Sequence, residues 1–204
     1  TRRSSDLRGQ TPFMGTPSSR RVVEESLGEA VVRGIDDFVF RDIETLEAAA
    51  EVFSFVIDPE VRAVLGGALR GVRWQQKVRF VLARDRDHPA YGVLIRSQVI
   101  EYGAITELSL REAVRQARPA GLPKTFQGLV ERAKALTILD ERGVAAAERL
   151  REARNRVHLD PSVAPPKVGD SAKALKDFVI VVNQCRATCG LASWQPMRPA
   201  PAAR

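Results

Sequence analysis

Residues 89–118, PAYGVLIRSQVIEYGAITELSLREAVRQAR, carry the pattern that decides the fold class. Tyr91, Ile95, Val99, Tyr102, Ile105 and Leu108 recur at intervals of four and three, which stacks them on one face of an α-helix. At 1.5 Å per residue such a helix is about 45 Å long, enough to form the spine of a bundle. Pro119, Gly121 and Pro123 break it. No segment alternates apolar and polar residues between hairpin turns, so the expected class is all-α, an antiparallel helical bundle.

The same spacing extends in both directions. Upstream, Val39, Ile43, Leu46, Ala50, Phe53 and Ile57 predict one helix of about five turns. Asp58 and Pro59 supply an N-cap and a first helical position, so a second helix should run to about Arg70 and stop at Gly71. A third segment sets Trp74, Val78 and Val81 on one side, before a polar turn in which His88, beside Pro89, reads as a cap or turn residue. Downstream, Thr125 caps a short helix bearing Phe126, Leu129, Val130, Ala133 and Leu136. Asp140 caps the next, which should end near His158 to Asp160 because Pro161 disfavours helical geometry in the residue before it. After Pro165, Pro166 and Gly169, Ser171 is the predicted cap of a last helix with Leu175, Phe178, Val182, Cys185 and Cys189 on one stripe.

With 204 residues, 44% of them hydrophobic, the chain can bury one good core. The net charge of +7 is concentrated at the ends: residues 22–193 carry 25 basic and 24 acidic groups. The basic N-terminal segment can attract polyanions by counterion release, although solvated ends often have this composition too. Residues 1–21 and 193–204 are rich in Ser, Pro, Gly and Arg without apolar periodicity, and the segments 1–35 and 191–204 are expected to be largely disordered. Two cysteines make no disulfide framework, and CxxxC on one helix lacks the further ligands of a zinc site, so both are expected as small core residues and no metal or cofactor is implied. No secretory leader or long apolar run is visible, so a cytoplasmic location without membrane contact is expected.

The helix 143–159 concentrates the chemistry-bearing side chains. At 100° per residue, Ala146, Leu150, Ala153 and Val157 form its apolar face, and Arg154, His158, Arg151 and Asn155 flank that face. Arg149 and Arg156 project to the far side with Glu152, as solvated charges. Two guanidinium groups, an amide and an imidazole within two turns suit a phosphodiester. Arginine presents fixed, charged donors to phosphate oxygens, and histidine exchanges a proton near neutral pH. The alternative is structural: these residues bond across to Glu101, Glu107 or similar acids.

At LREARNRVHLDP (150–161) the chain resembles the HEPN superfamily, helical-bundle proteins with an Arg-x4-6-His signature and often a polar residue directly after an arginine. Arg151 and His158 enclose six residues, while Arg154-Asn155 supplies the arginine-polar pair with three residues before His158, so either arginine fits part of the pattern. The resemblance covers about residues 88–190, with residues 36–84 as a helical extension or the first part of the bundle. It implies a metal-independent endoribonuclease acting on RNA as a toxin or antiviral-defence effector. His158 would be the acid/base, Arg151 or Arg154 the phosphate stabiliser and Asn155 an orienting donor. It also implies a homodimer with facing Arg/His helices, and an antitoxin or other protein partner. The alternative function is a noncatalytic helical interaction or ligand-binding module.

Overall fold

The computed structural model describes residues 43–82, 89–159 and 167–197, with the side chains at 80–82, 89–90 and 157–159 excepted, and all of these lie in one unit, Val39–Arg204. Expectations for residues 1–42, His88, Pro161 and Pro165-Pro166 lie outside the described residues, as does the tail from residue 198. Six α-helices and no strand are present among the described residues: α1 Leu46–Glu51, α2 Pro59–Leu82, α3 Pro89–Ala117, α4 Phe126–Ala135, α5 Glu141–Leu159 and α6 Val168–Ala187. None is long and apolar enough to cross a membrane.

Three predicted caps do the expected work. The Asp58 carboxylate accepts from the amides of Glu60 (2.9 Å) and Val61 (3.3 Å), Thr125 Oγ1 accepts from Gly128, and Asp140 Oδ1 accepts from Gly143 at 2.8 Å. Elsewhere the boundaries differ from expectation. The first helix is capped by Thr45 and ends at Glu51, after which residues 52–55 turn so that Val52, Phe53, Phe55 and Val56 all reach the core. Helix α2 runs straight through Gly71, absorbing the segment expected as a third helix. Its buried face is Leu65, Leu69 and Val72, whereas Trp74 is 40% exposed. Helix α6 starts at Val168 behind Lys167, so Ser171 is not its cap but lies buried in the first turn, donating to Gln98 of α3. Cys185 is fully buried, but Cys189 lies beyond the helix and is exposed.

Helix α3 is the spine: it packs against α2, α4, α5 and α6. Tyr91, Ile95, Val99, Tyr102 and Ile105 are buried as expected, joined by Leu110 and Val114, and Leu108 is half-buried. Helices α5 and α6 run in opposite senses, since Asp140 at the start of α5 meets Gln184 near the end of α6, and Arg149 meets Asp177. Helices α3 and α6 run in the same sense, with Gln98 beside Ser171 and the Tyr102 ring 5.4 Å from Phe178. Residues 191–197 are non-helical yet pack against the bundle. Asn183 and Trp194 exchange two hydrogen bonds, the Trp194 ring lies 6.0 Å from Phe178, and the Met197 amide donates to buried Glu44. A tryptophan ring on a core phenylalanine gives this segment an apolar anchor that its polar, Pro-rich composition conceals.

Adjacent glycines in α2 have different roles. A Cβ on Gly66 would fall 2.7 Å from the Ala50 backbone nitrogen, so α1 needs the missing side chain, whereas Cβ atoms at Gly67 and Gly71 would meet nothing within 4 Å. Gly67→Ala and Gly71→Ala should therefore each stabilise the protein by about 0.5–1 kcal/mol, the helical cost of glycine, read as a higher urea midpoint. An unchanged or lower midpoint would contradict this.

Burial also predicts a loss of stability in base. It pushes the Cys185 thiol from 9.0 and the Tyr102 phenol from 10.0 up to about 12 each. Both acids are neutral when protonated, and the folded chain keeps their protons to higher pH than the unfolded chain. Above pH 9.0 the unfolded state binds fewer protons, so unfolding becomes easier as pH rises towards about 12. The urea midpoint should fall between pH 8 and about pH 11, and fall less in Tyr102→Phe. An equal fall in that variant would remove the phenol as a cause.

Candidate functional site

Helix α5 is fastened before it reaches the site. Gln184 of α6 donates to Asp140 Oδ1 at 2.6 Å and accepts from the Asp140 amide at 3.1 Å. The Gly143 amide, followed by Gln184, holds the Asp140 carboxyl below its ordinary value. Ala146, Ala147 and Leu150 are at most 1% exposed, and Ala153 is half-buried, so the apolar face predicted from the wheel faces the core and extends to Ala147. The polar residues 151, 154 and 155 fall along its edge.

Arg154 reaches across to α3. Its Nη1 donates to Glu107 Oε2, while the second oxygen of that carboxylate lies 3.5 Å from Arg111. The stem of Arg154 lies over Gly103: a Cβ there would be 3.0 Å from its Cδ and 3.1 Å from its Cβ. The guanidinium is thus braced by a second helix while the side chain stays 31% exposed. Arg151, one turn earlier, is held within its own helix, its Nε donating to Glu148 at 2.7 Å. Asn155 is exposed. His158 stands four residues after Arg154 with its backbone in α5, and its side chain is outside the described residues.

Arg149, expected as an ordinary solvated charge, is not one. It makes a two-pronged bond to Asp177 of α6, Nε to Oδ2 at 3.0 Å and Nη2 to Oδ1 at 2.6 Å, which raises its pKa. The wheel placed it correctly opposite the α3-facing edge, but a wheel for one helix does not show that α6 approaches from that side. Arg156 and Glu152 are exposed as expected. The acid partner Glu107 was among those the sequence offered. Gly103 was not singled out, although a glycine inside a long helix is a signal of close approach.

Among the described residues no group of three or more His, Cys, Asp or Glu is placed to hold a metal ion. A shallow cavity of about 260 Å³ is lined by Arg142, Ile180, Asn183 and Gln184 with Ser193 and Gln195. It lies by the start of α5, about 18 Å along the helix from Arg154, and does not include the Arg/His edge. In comparison with known proteins, the chain matches no family model, no curated protein and no solved structure.

Proposed function

We propose that the chain is a HEPN-like helical-bundle endoribonuclease that cleaves RNA without a metal ion at the edge of α5. The observation that carries this reading is the setting of Arg154: part-exposed, braced by Gly103 and Glu107, beside exposed Asn155 and one turn from His158 in an Arg-polar-x2-His sequence. The Arg154–Glu107 pair is open to solvent on one side, at 31% and 20% exposed, so Glu107 can share Arg154 with a phosphate, which gains more from a preorganised cation as charge develops in the transition state.

In the proposed reaction His158 takes the proton of the RNA 2′-hydroxyl as that oxygen bonds to phosphorus. Arg154, with Arg151 nearby, stabilises the added negative charge, and Asn155 orients the phosphate. The bond from phosphorus to the 5′-oxygen breaks, that oxygen takes up a proton, and the products are a 2′,3′-cyclic phosphate and a 5′-hydroxyl. A single row of polar groups makes a shallow site, so a homodimer with two facing α5 helices gives the RNA a concave one. A cytoplasmic toxin or antiviral-defence role, restrained by an antitoxin or other partner protein, accords with this chemistry.

A second reading is a noncatalytic interaction module. It is favoured by the engagement of both arginines with carboxylates, Arg154 with Glu107 and Arg151 with Glu148. Incubating the protein with structured and unstructured RNA in EDTA, alongside His158→Ala and Arg154→Ala, separates the two. Cleavage lost in both variants, with fold and mass retained, supports the ribonuclease. Cleavage equal in all three proteins, or absent from all, rejects this site.

A further inference from the structure

Either arginine of α5 fits the sequence pattern, but their surroundings differ in kind. From the geometry we infer that Arg154 is the phosphate-contacting arginine and that Gly103 and Glu107 of α3 are its positioning residues, an assignment that rests on the RNA-cleaving reading above.

A free arginine loses rotamer entropy on meeting a phosphate. Arg151 is tied to Glu148 on its own helix at i,i+3. Both ends of that pair stand on α5, and among the described residues no hydrogen bond or ion pair ties either side chain to another helix. Arg154 is held at two points by another helix. Its stem rests in the notch left by the missing side chain of Gly103, with three carbons within 3.0–3.4 Å of where a Cβ would stand. Its head is held one turn further along α3 by Glu107. The notch and the carboxylate are four residues apart, so they share one face of α3 and together set both the path and the end point of the side chain. Much of the entropy of fixing a guanidinium is therefore lost in folding rather than at the moment of reaction.

Charge points the same way. Glu107 lies between Arg154 and Arg111, so this group of three carries one net positive charge, whereas Arg151 and Glu148 cancel. A phosphate approaching the edge of α5 meets net attraction at Arg154. The carboxylate engages Nη1, which leaves Nε and Nη2 outside that bond.

The test uses the full chain, EDTA and a 5′-labelled single-stranded RNA of mixed sequence, with Glu107→Gln, Glu107→Asp, Gly103→Ala and Glu148→Gln. Glu107→Gln should lower kcat by roughly tenfold to a hundredfold, the cost of a misplaced group, with KM within about threefold of the parent. Glu107→Asp should recover part of that loss, because it restores the charge one methylene short. Glu148→Gln should stay within about threefold in kcat. Gly103→Ala should lower kcat in the same direction as Glu107→Gln. If Gly103→Ala does not fold, the side-chain ¹⁵N resonances of Arg154 provide an independent readout: slow guanidinium rotation in the parent should be lost in Glu107→Gln. Cleavage by the parent together with an unchanged Glu107→Gln overturns the positioning role and leaves the ribonuclease standing. A fall in Glu148→Gln but not Glu107→Gln reassigns the role to Arg151 and also overturns it. An inactive parent protein removes both the ribonuclease reading and the inference.

Discussion

Arg186→Ala is expected to cost about 1.5–3 kcal/mol, a sizeable part of the 5–15 kcal/mol that holds a typical domain together. Arg186 is only 9% exposed, and its guanidinium joins three parts of the chain. From α6, Nη1 donates to the carbonyls of Glu51 at 2.9 Å and Val52 at 2.7 Å, and Nε donates to the carbonyl of Ala192 at 2.8 Å. The first two belong to the C-terminal end of α1, where carbonyls have no helical donor ahead of them and carry the negative end of the helix dipole. One planar cation satisfies them and ties down the segment that follows α6. Truncation leaves the buried Val52 carbonyl without a donor, at about 1–3 kcal/mol, while the Glu51 carbonyl keeps the Ser54 amide and Ala192 is exposed to solvent. Arg186→Lys should recover only part of the loss, because a point charge cannot serve carbonyls on two sides. Urea unfolding measures both variants, and a loss below about 1 kcal/mol for alanine would show that water replaces the guanidinium at no great cost.

Gly66→Ala sets two familiar effects against each other. Alanine in place of a helical glycine gains about 1 kcal/mol from backbone entropy. The new methyl would stand 2.7 Å and 2.8 Å from the nitrogen and Cα of Ala50, atoms of the α1 backbone that no rotamer change can move. The six-residue α1 must shift as a body, although its Ala49 and the adjoining Val52 and Phe53 are at most 2% exposed and packed in the core. Overpacking of this kind costs about 1–3 kcal/mol, so the net effect should be destabilising. The neighbouring substitution Gly67→Ala should go the other way. If both variants raised stability, helix propensity rather than the α1 contact would govern this part of α2.

These contrasts show how far a sequence can be read. The caps at Asp58, Thr125 and Asp140 and the stripe on α3 were legible because the signal and the structure involve the same few consecutive residues. The break expected at Gly71 did not occur because an exposed helical glycine costs only about 1 kcal/mol, less than the continuous core face of Leu65, Leu69 and Val72 contributes. The first helix was read as too long for the opposite reason. Phe53 is buried from a turn rather than from a helix face, and periodicity cannot distinguish the two. Ser171 has the composition of a cap, but its partner is Gln98, 73 residues away. At the candidate site, the wheel put Arg151, Arg154 and Asn155 on one edge of α5. What those groups touch depends on α3 and α6, and so Gly103 and Asp177 became visible only in the fold.

If the edge of α5 cleaves RNA by attack of the 2′-hydroxyl, as proposed, the ends of the product strands show it most directly. Purified protein incubated with RNA in EDTA should leave 2′,3′-cyclic phosphate and 5′-hydroxyl ends, and His158→Ala should slow their appearance by about a hundredfold or more. Ends bearing a 3′-hydroxyl and a 5′-phosphate, or the same rate from His158→Ala, would contradict it.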